Sequence, residues 1–124
     1  MAESRSAEMA NRLRDLQAAA PDIIAAAVVT SDGLTLASAL PADVQEERIA
    51  AMSAAMLSLG ERIAAELQRG SLEEVYIRGD KGLVLLTSVG KEAVLTALSR
   101  NEAKLGIMFL EMRRAAADLE RYVS

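Results

Sequence analysis

The sequence predicts an α/β (α+β) domain built as a three-layer α/β/α sandwich, in the order α-β-β-α-β-β-β-α around a five-stranded, mostly antiparallel sheet. Three observations predict it. Helical apolar spacing recurs at the start, the middle and the end of the chain. Five short apolar runs are separated by turns or by the central helix. Two of those runs are apolar on consecutive positions, so they need cover on both faces. With 124 residues, 52% of them hydrophobic, the chain suits one domain over 1–124 with a buried core, and no repeat, linker or low-complexity stretch divides it.

The elements follow in order. From Ser4 to Ala20, Met9, Leu13, Leu16 and Ala20 make one apolar stripe, and Pro21 ends the helix. It is expected to dock on a sheet rather than lie on a membrane. Ile23 to Thr30 and Leu34 to Leu40 form a hairpin through Ser31-Asp32-Gly33, where Gly33 can take positive φ. Asp32 is read as turn chemistry, not as a metal ligand. Asp43 is the expected N-cap of the longest helix, Val44 to Arg69, with Glu46 in capping-box position. Ile49, Met52, Met56, Leu59, Ile63 and Leu67 form one ridge, widened on one flank by Leu57, Gly60 and Ala64. The opposite face carries Ala51, Ala54, Ala55, Ser58 and Ala65 among Glu47, Glu61, Arg62 and Arg69. Such small residues would let a second helix approach closely, or they reflect no more than alanine's helix propensity.

Gly70 is expected to cap that helix. A three-strand meander follows: Leu72 to Arg78, Leu83 to Val89 and Ala93 to Ser99, turning at Gly79-Asp80-Lys81-Gly82 and Gly90-Lys91-Glu92. The first of these turns lacks the spacing and the following helix of a phosphate loop. The last helix runs from Glu102 to Val123, with Leu105, Met108, Phe109, Met112, Ala116, Leu119 and Val123 on one face. Met108 and Met112 are read as core filler. Ile107 and Leu110 fall off that face and either pack against the first helix, the favoured reading, or await a partner.

Composition removes whole classes of chemistry. With no His and no Cys, imidazole bases, thiol nucleophiles and structural disulfides are excluded, and no zinc site is expected. Two Tyr, one Phe and no Trp leave an aliphatic core, and alanine fills 24 positions. The net charge of −4, from 18 acidic against 14 basic residues, argues against nucleic-acid binding. The longest charge-free run, Ile49 to Gly60, spans 12 residues, too few to cross a membrane. MAESRSAEMANR is not expected to act as a signal peptide, because it has no apolar stretch. A cytoplasmic protein without cofactor or metal is expected.

The hairpin V-V-T-S-D-G-L-T-L-A-S (Val28 to Ser38), the helix A-A-M-S-A-A-M-L-S-L-G-E-R (Ala50 to Arg62), the meander around Val75 to Val94 and the stretch A-K-L-G-I-M-F-L-E-M-R-R-A-A (Ala103 to Ala116) together resemble the roadblock domain. This is the family of the dynein roadblock light chains and the bacterial MglB proteins, and the resemblance spans nearly the whole chain. It implies a homodimer, or a heterodimer with a similar partner, in which two central helices pair and the strand after each joins its counterpart. On this chain that interface would take Ala51, Ala54, Ala55, Ser58, Arg62, Ala65, Val75, Tyr76 and Ile77. It also implies binding and regulation of a small Ras-like GTPase, with Glu47, Glu61, Glu66 and Arg69 rimming the partner surface. No catalytic residue carries over, because regulation in the family works by reshaping the GTPase's own site. Arg62 and Arg69 are read as salt-bridge residues rather than arginine fingers.

Other classes compete with a GTPase-regulating dimer. A scaffold or adaptor dimer differs only in whether binding depends on nucleotide. A small-ligand sensor would need aromatic or polar pocket residues, and Phe109 alone offers little. An enzyme would rest on pairs such as Ser53 with Lys81, or Glu73 with Glu74, which have no motif around them; adjacent strand residues also point to opposite faces.

Overall fold

The computed structural model describes residues 2–100 and 104–123. Its elements are α1 (Ala2–Ala19), β1 (Ile23–Thr30), β2 (Thr35–Ala39), α2 (Glu46–Glu66), β3 (Glu74–Gly79), β4 (Gly82–Val89), β5 (Ala93–Arg100) and α3 (Leu105–Leu119). A 3-10 turn, Glu120–Tyr122, follows α3. The strands lie in the order β2-β1-β5-β4-β3, and every neighbouring pair is antiparallel. The hairpin and the meander are therefore joined where β5 closes on β1. The predicted element order is the one observed, with a sheet that is wholly antiparallel.

Both faces of the sheet are covered. On one, Met9, Leu13 and Leu16 of α1 and Met108, Met112 and Leu119 of α3 pack on Val28, Leu85 and Leu95. On the other, Ala50 and Leu57 of α2 pack on Ala27, Val29, Leu86 and Val94. Alternate residues of β1 thus enter opposite cores, which is why its run is apolar throughout. Met108 and Met112 are core residues, as expected. Arg12 of α1 bonds Asp118 of α3 at 2.7 Å, an exposed link worth under about 1 kcal/mol.

The central helix departs from the expectation in three places. Its start is two residues later, so Gln45 is the N-cap and makes no side-chain cap bond. Asp43 lies outside the helix, and the Glu46 carboxylate instead accepts from the Ser38 hydroxyl at 2.7 Å, tying the helix start to β2. At the other end, Gly70 is not the cap: Leu67 is, and Gln68 takes the left-handed conformation at φ 57°. The Arg69 N–H then donates to the Ala64 carbonyl and the Gln68 N–H to the Ala65 carbonyl, a Schellman closure with a non-glycine residue at its strained position.

The third departure concerns the face of α2 that meets the sheet. Ala50, Ser53 and Leu57 are buried, and Gly60 and Ala64 continue that stripe, half-buried. A side chain at Gly60 would come within 2.9 Å of Leu72 Cδ2 and 3.2 Å of Val75 Cγ2. Small residues therefore let α2 lie close on the sheet, and Met52, Leu59, Ile63 and Leu67 of the larger ridge face outward while Ile49 and Met56 pack partly buried against this core. Ile107 and Leu110 also correct the favoured reading, for both are exposed on the outer side of α3. The predicted start of the last helix, at Glu102, lies outside the described residues.

Candidate functional site

The most conspicuous surface is built by α2 and β3. Met52 (61% exposed), Leu59 (57%), Ile63 (49%) and Leu67 (65%) stand along the outward flank of α2. Beside Met52, an apolar groove of about 400 Å³ opens toward the bare part of the sheet, lined by Ile49, Met52, Met56, Ile77, Val84 and Leu98 among others. The groove exists because α2 crosses the sheet obliquely. Its first turn is tied to the end of β2 through Ser38, and its Gly60 sits over Leu72, just before β3, and Val75 at the start of it. The ends of β3 and β5 and the start of β4 are thereby left uncovered on this face.

β3 is the last strand of the sheet, and its outer edge has no neighbour among the described residues. Its pairing with β4 sets Tyr76 opposite Leu85, and the Ser88 N–H donates to the Glu73 carbonyl at 3.3 Å. In an antiparallel ladder the backbone groups of successive residues alternate in direction. Odd-numbered residues here turn toward β4, so Glu74, Tyr76 and Arg78 turn their N–H and C=O groups to the open edge. Side chains alternate too. Val75 packs with the α2 layer, while Tyr76 meets Phe109 of α3 edge-on at 6.1 Å and Glu74 is held by Arg113 of α3.

The structure brings most of the predicted site residues onto this surface. Ala51, Ala55, Ser58, Ala65 and Arg62 are exposed on the outer side of α2, as are Glu47, Glu61 and Glu66, and Arg69 is exposed just past the end of the helix. Arg62 lies 3.9 Å from Glu66 along the helix, and the Arg69 Nε donates to the Leu67 carbonyl. Ala54 is half-buried, over the Gly33 turn. Tyr76 and Ile77 are exposed and Val75 half-buried on the edge strand. The sequence places Leu57, Gly60 and Ala64 on one flank of the ridge from Ile49 to Leu67, and it is that flank which meets the sheet. The competing stripe of Ala50, Ser53, Leu57, Gly60 and Ala64 has equally good helical spacing, and its small side chains are the signal that it sits nearer the sheet.

The enzyme-like pairs are not assembled. Ser53 is buried and accepts a hydrogen bond from the Thr96 hydroxyl at 2.7 Å, while Lys81 is exposed in the β3–β4 turn. Glu73 is exposed and its neighbour Glu74 is engaged by Arg113. Among the described residues no group of acidic side chains is placed to hold a metal ion. No helix among them is long and apolar enough to cross a membrane.

Fold and surface together define a small α/β/α module whose central helix flank and edge strand expose apolar side chains around an open groove. The chain belongs to the Roadblock/LC7 domain family, whose model matches residues 9–99. Members of that family are generally non-catalytic regulators and adaptors. The protein MJ1340 of Methanocaldococcus jannaschii is 39% identical over 93 residues, covering 75% of this chain and 81% of that protein. Myxococcus xanthus MglB superposes with a TM-score of 0.85 at 19% identity, covering 93% of this chain and 86% of that one. A Roadblock/LC7 domain from Streptomyces avermitilis superposes with a TM-score of 0.83 at 21% identity, covering 89% and 92%. These structural likenesses are of fold.

Proposed function

We propose that this chain is a non-catalytic homodimer that binds a small Ras-like GTPase in the cytoplasm and modulates its nucleotide cycle. The observation that carries the dimer is the match between what α2 exposes and what the sheet leaves bare. A two-fold axis normal to the sheet at the β3 edge sets the start of one β3 beside the end of the other. The half-helix that overhangs the start of β3, bearing Leu59 and Ile63, then comes down over Ile77, Val84 and Leu98 of a second copy. Ridge fills groove twice, and the open edges of both sheets are satisfied.

Paired this way, two α2 helices form a platform of Ala51, Ala55, Ser58 and Ala65 rimmed by Glu47, Glu61, Arg62, Glu66 and Arg69. That surface has no aromatic anchor, so its binding energy is spread and its affinity modest, on the order of micromolar. A Ras-like GTPase presents different switch-loop shapes with GTP and GDP, and only one fits a rigid platform. The test is titration of a cognate small Ras-like GTPase, loaded with each nucleotide in turn. A preference of about tenfold or more for one state is expected. Equal affinity would leave the dimer as a scaffold, since a ligand that does not discriminate shifts no equilibrium.

A further inference from the structure

We propose that the groove between α2 and the sheet is a binding site for a small neutral molecule, an alkyl chain carrying one carbonyl group, and that its occupancy controls assembly of the chain. The control of assembly rests on the homodimer reading above; the site itself does not. The floor of the groove carries the inference. Ser53 of α2 and Thr96 of β5 lie there, 3% and 2% exposed, between apolar walls that include Ile49, Met52, Met56, Val84 and Leu98. The Thr96 hydroxyl donates to Ser53 Oγ at 2.7 Å. Two hydroxyls bring two protons, and this bond uses one of them. A serine within a helix can return its proton to the carbonyl four residues back, but the Ser53 hydroxyl finds no acceptor among the described residues. A buried donor left without an acceptor is costly. A ligand carbonyl removes that cost, and the walls take the alkyl chain.

The surroundings also fix the ligand's charge. A carboxylate set on Ser53 would give up its water with no cation beside it, because Arg48, the basic residue that lines the groove, is exposed at the rim. Asp43 is exposed at the same rim and offsets it, and neither forms an ion pair among the described residues. A neutral carbonyl satisfies Ser53 without burying a charge. Size agrees, since the groove's volume of about 400 Å³ falls among small-molecule sites, which span about 300–1,000 Å³.

Occupancy bears on assembly because the same walls receive the ridge of a second copy. Val84 and Leu98 cannot contact a bound alkyl chain and the Leu59 and Ile63 side chains of another copy at once. Ligand and dimer therefore exclude each other, and each weakens the other by mass action. With the ligand at ten times its own Kd, the dimer is weakened roughly a hundredfold, because each dimer that forms must empty two grooves.

Methionine methyl groups report the site by NMR, with methyl octanoate as the probe. Met52 and Met56 line the groove, whereas Met9, Met108 and Met112 lie in the core under the opposite face of the sheet. Titration should shift the first two signals and leave the other three in place. Octanoate, the charged counterpart of the same chain, should bind at least about tenfold more weakly. Ser53→Ala together with Thr96→Val removes both hydroxyls, so neither is stranded, and should weaken binding of methyl octanoate roughly fivefold. Circular dichroism checks that this variant folds. Unmoved Met52 and Met56 signals, equal affinity for octanoate, or unchanged affinity in the folded double variant overturns the site. Light scattering then reads assembly, and the ester should lower the mass from dimer toward monomer. A dimer whose mass ignores an ester that shifts both methionines overturns the control of assembly and leaves the site. A wild-type chain that is monomeric without the ester overturns the dimer reading and the control of assembly with it, and again leaves the site.

Discussion

Leu57 and Leu59 are two residues apart on α2 and meet opposite fates. Leu57 is 4% exposed and Leu59 57% exposed. Replacing Leu59 with Lys should hardly disturb the fold of one chain, because the aliphatic stem still covers part of the helix flank and the ammonium reaches water. The expected change is within about 0.5 kcal/mol, typical of a surface site. Association is another matter. Burying the remaining half of a leucine contributes about 1 kcal/mol, and symmetry counts it twice, so the lost transfer energy alone is about 2 kcal/mol, or roughly thirtyfold in Kd. Leu57→Ala leaves a cavity between α2 and the sheet and should cost about 2–4 kcal/mol.

Urea unfolding followed by circular dichroism over a range of protein concentrations distinguishes the two effects. The wild-type midpoint should rise with concentration, as it must for a dimer. The Leu59→Lys midpoint should begin to rise only at roughly thirtyfold higher concentration, and adding Leu57→Ala to that background should lower stability by the full cavity cost. If Leu59→Lys alone unfolds the chain at every concentration while Leu57→Ala is silent, α2 packs by its other flank and the reasoning fails.

Two further outcomes follow from local geometry. Thr96→Val removes the donor to buried Ser53 and should cost about 1–2 kcal/mol, whereas Ser53→Ala with Thr96→Val together should cost less than the sum of the singles, a coupling readable in a urea double-mutant cycle. Gln68→Gly relieves the left-handed conformation that closes α2 and should raise stability by about 0.5–1 kcal/mol in the same assay; a loss would mean that the Gln68 side chain contributes more than its backbone costs.

Much of the site lay on elements that the sequence makes plain. The β1 run is buried from Ala25 to Val29, as its unbroken apolar pattern requires. The edge position of β3 shows in its composition, for Glu74, Tyr76 and Arg78 alternate with Val75 and Ile77 where β4 and β5 are more uniformly apolar. The caps of α2 were less legible. Asp43 and Gly70 have the right chemistry, but end geometry is set by where the helix meets its neighbours. Ser38 claimed Glu46, and the chain turned at Gln68 before reaching Gly70.

Local periodicity and turn chemistry, which need no knowledge of neighbours, determined the order of elements and the three layers, and composition alone removed imidazole and thiol chemistry. The rotation of α2 about its own axis needed the tertiary structure. Two stripes of equal helical period differ by one residue, about 100°, and hydrophobicity favours the one with larger side chains. Distance of approach decided otherwise. Ala50, Ser53, Gly60 and Ala64 let the helix lie close over a sheet whose Leu72 and Val75 leave no room for more. Met52, Leu59, Ile63 and Leu67 were thereby turned outward, while Ile49 and Met56 of the same ridge stayed partly buried against the sheet.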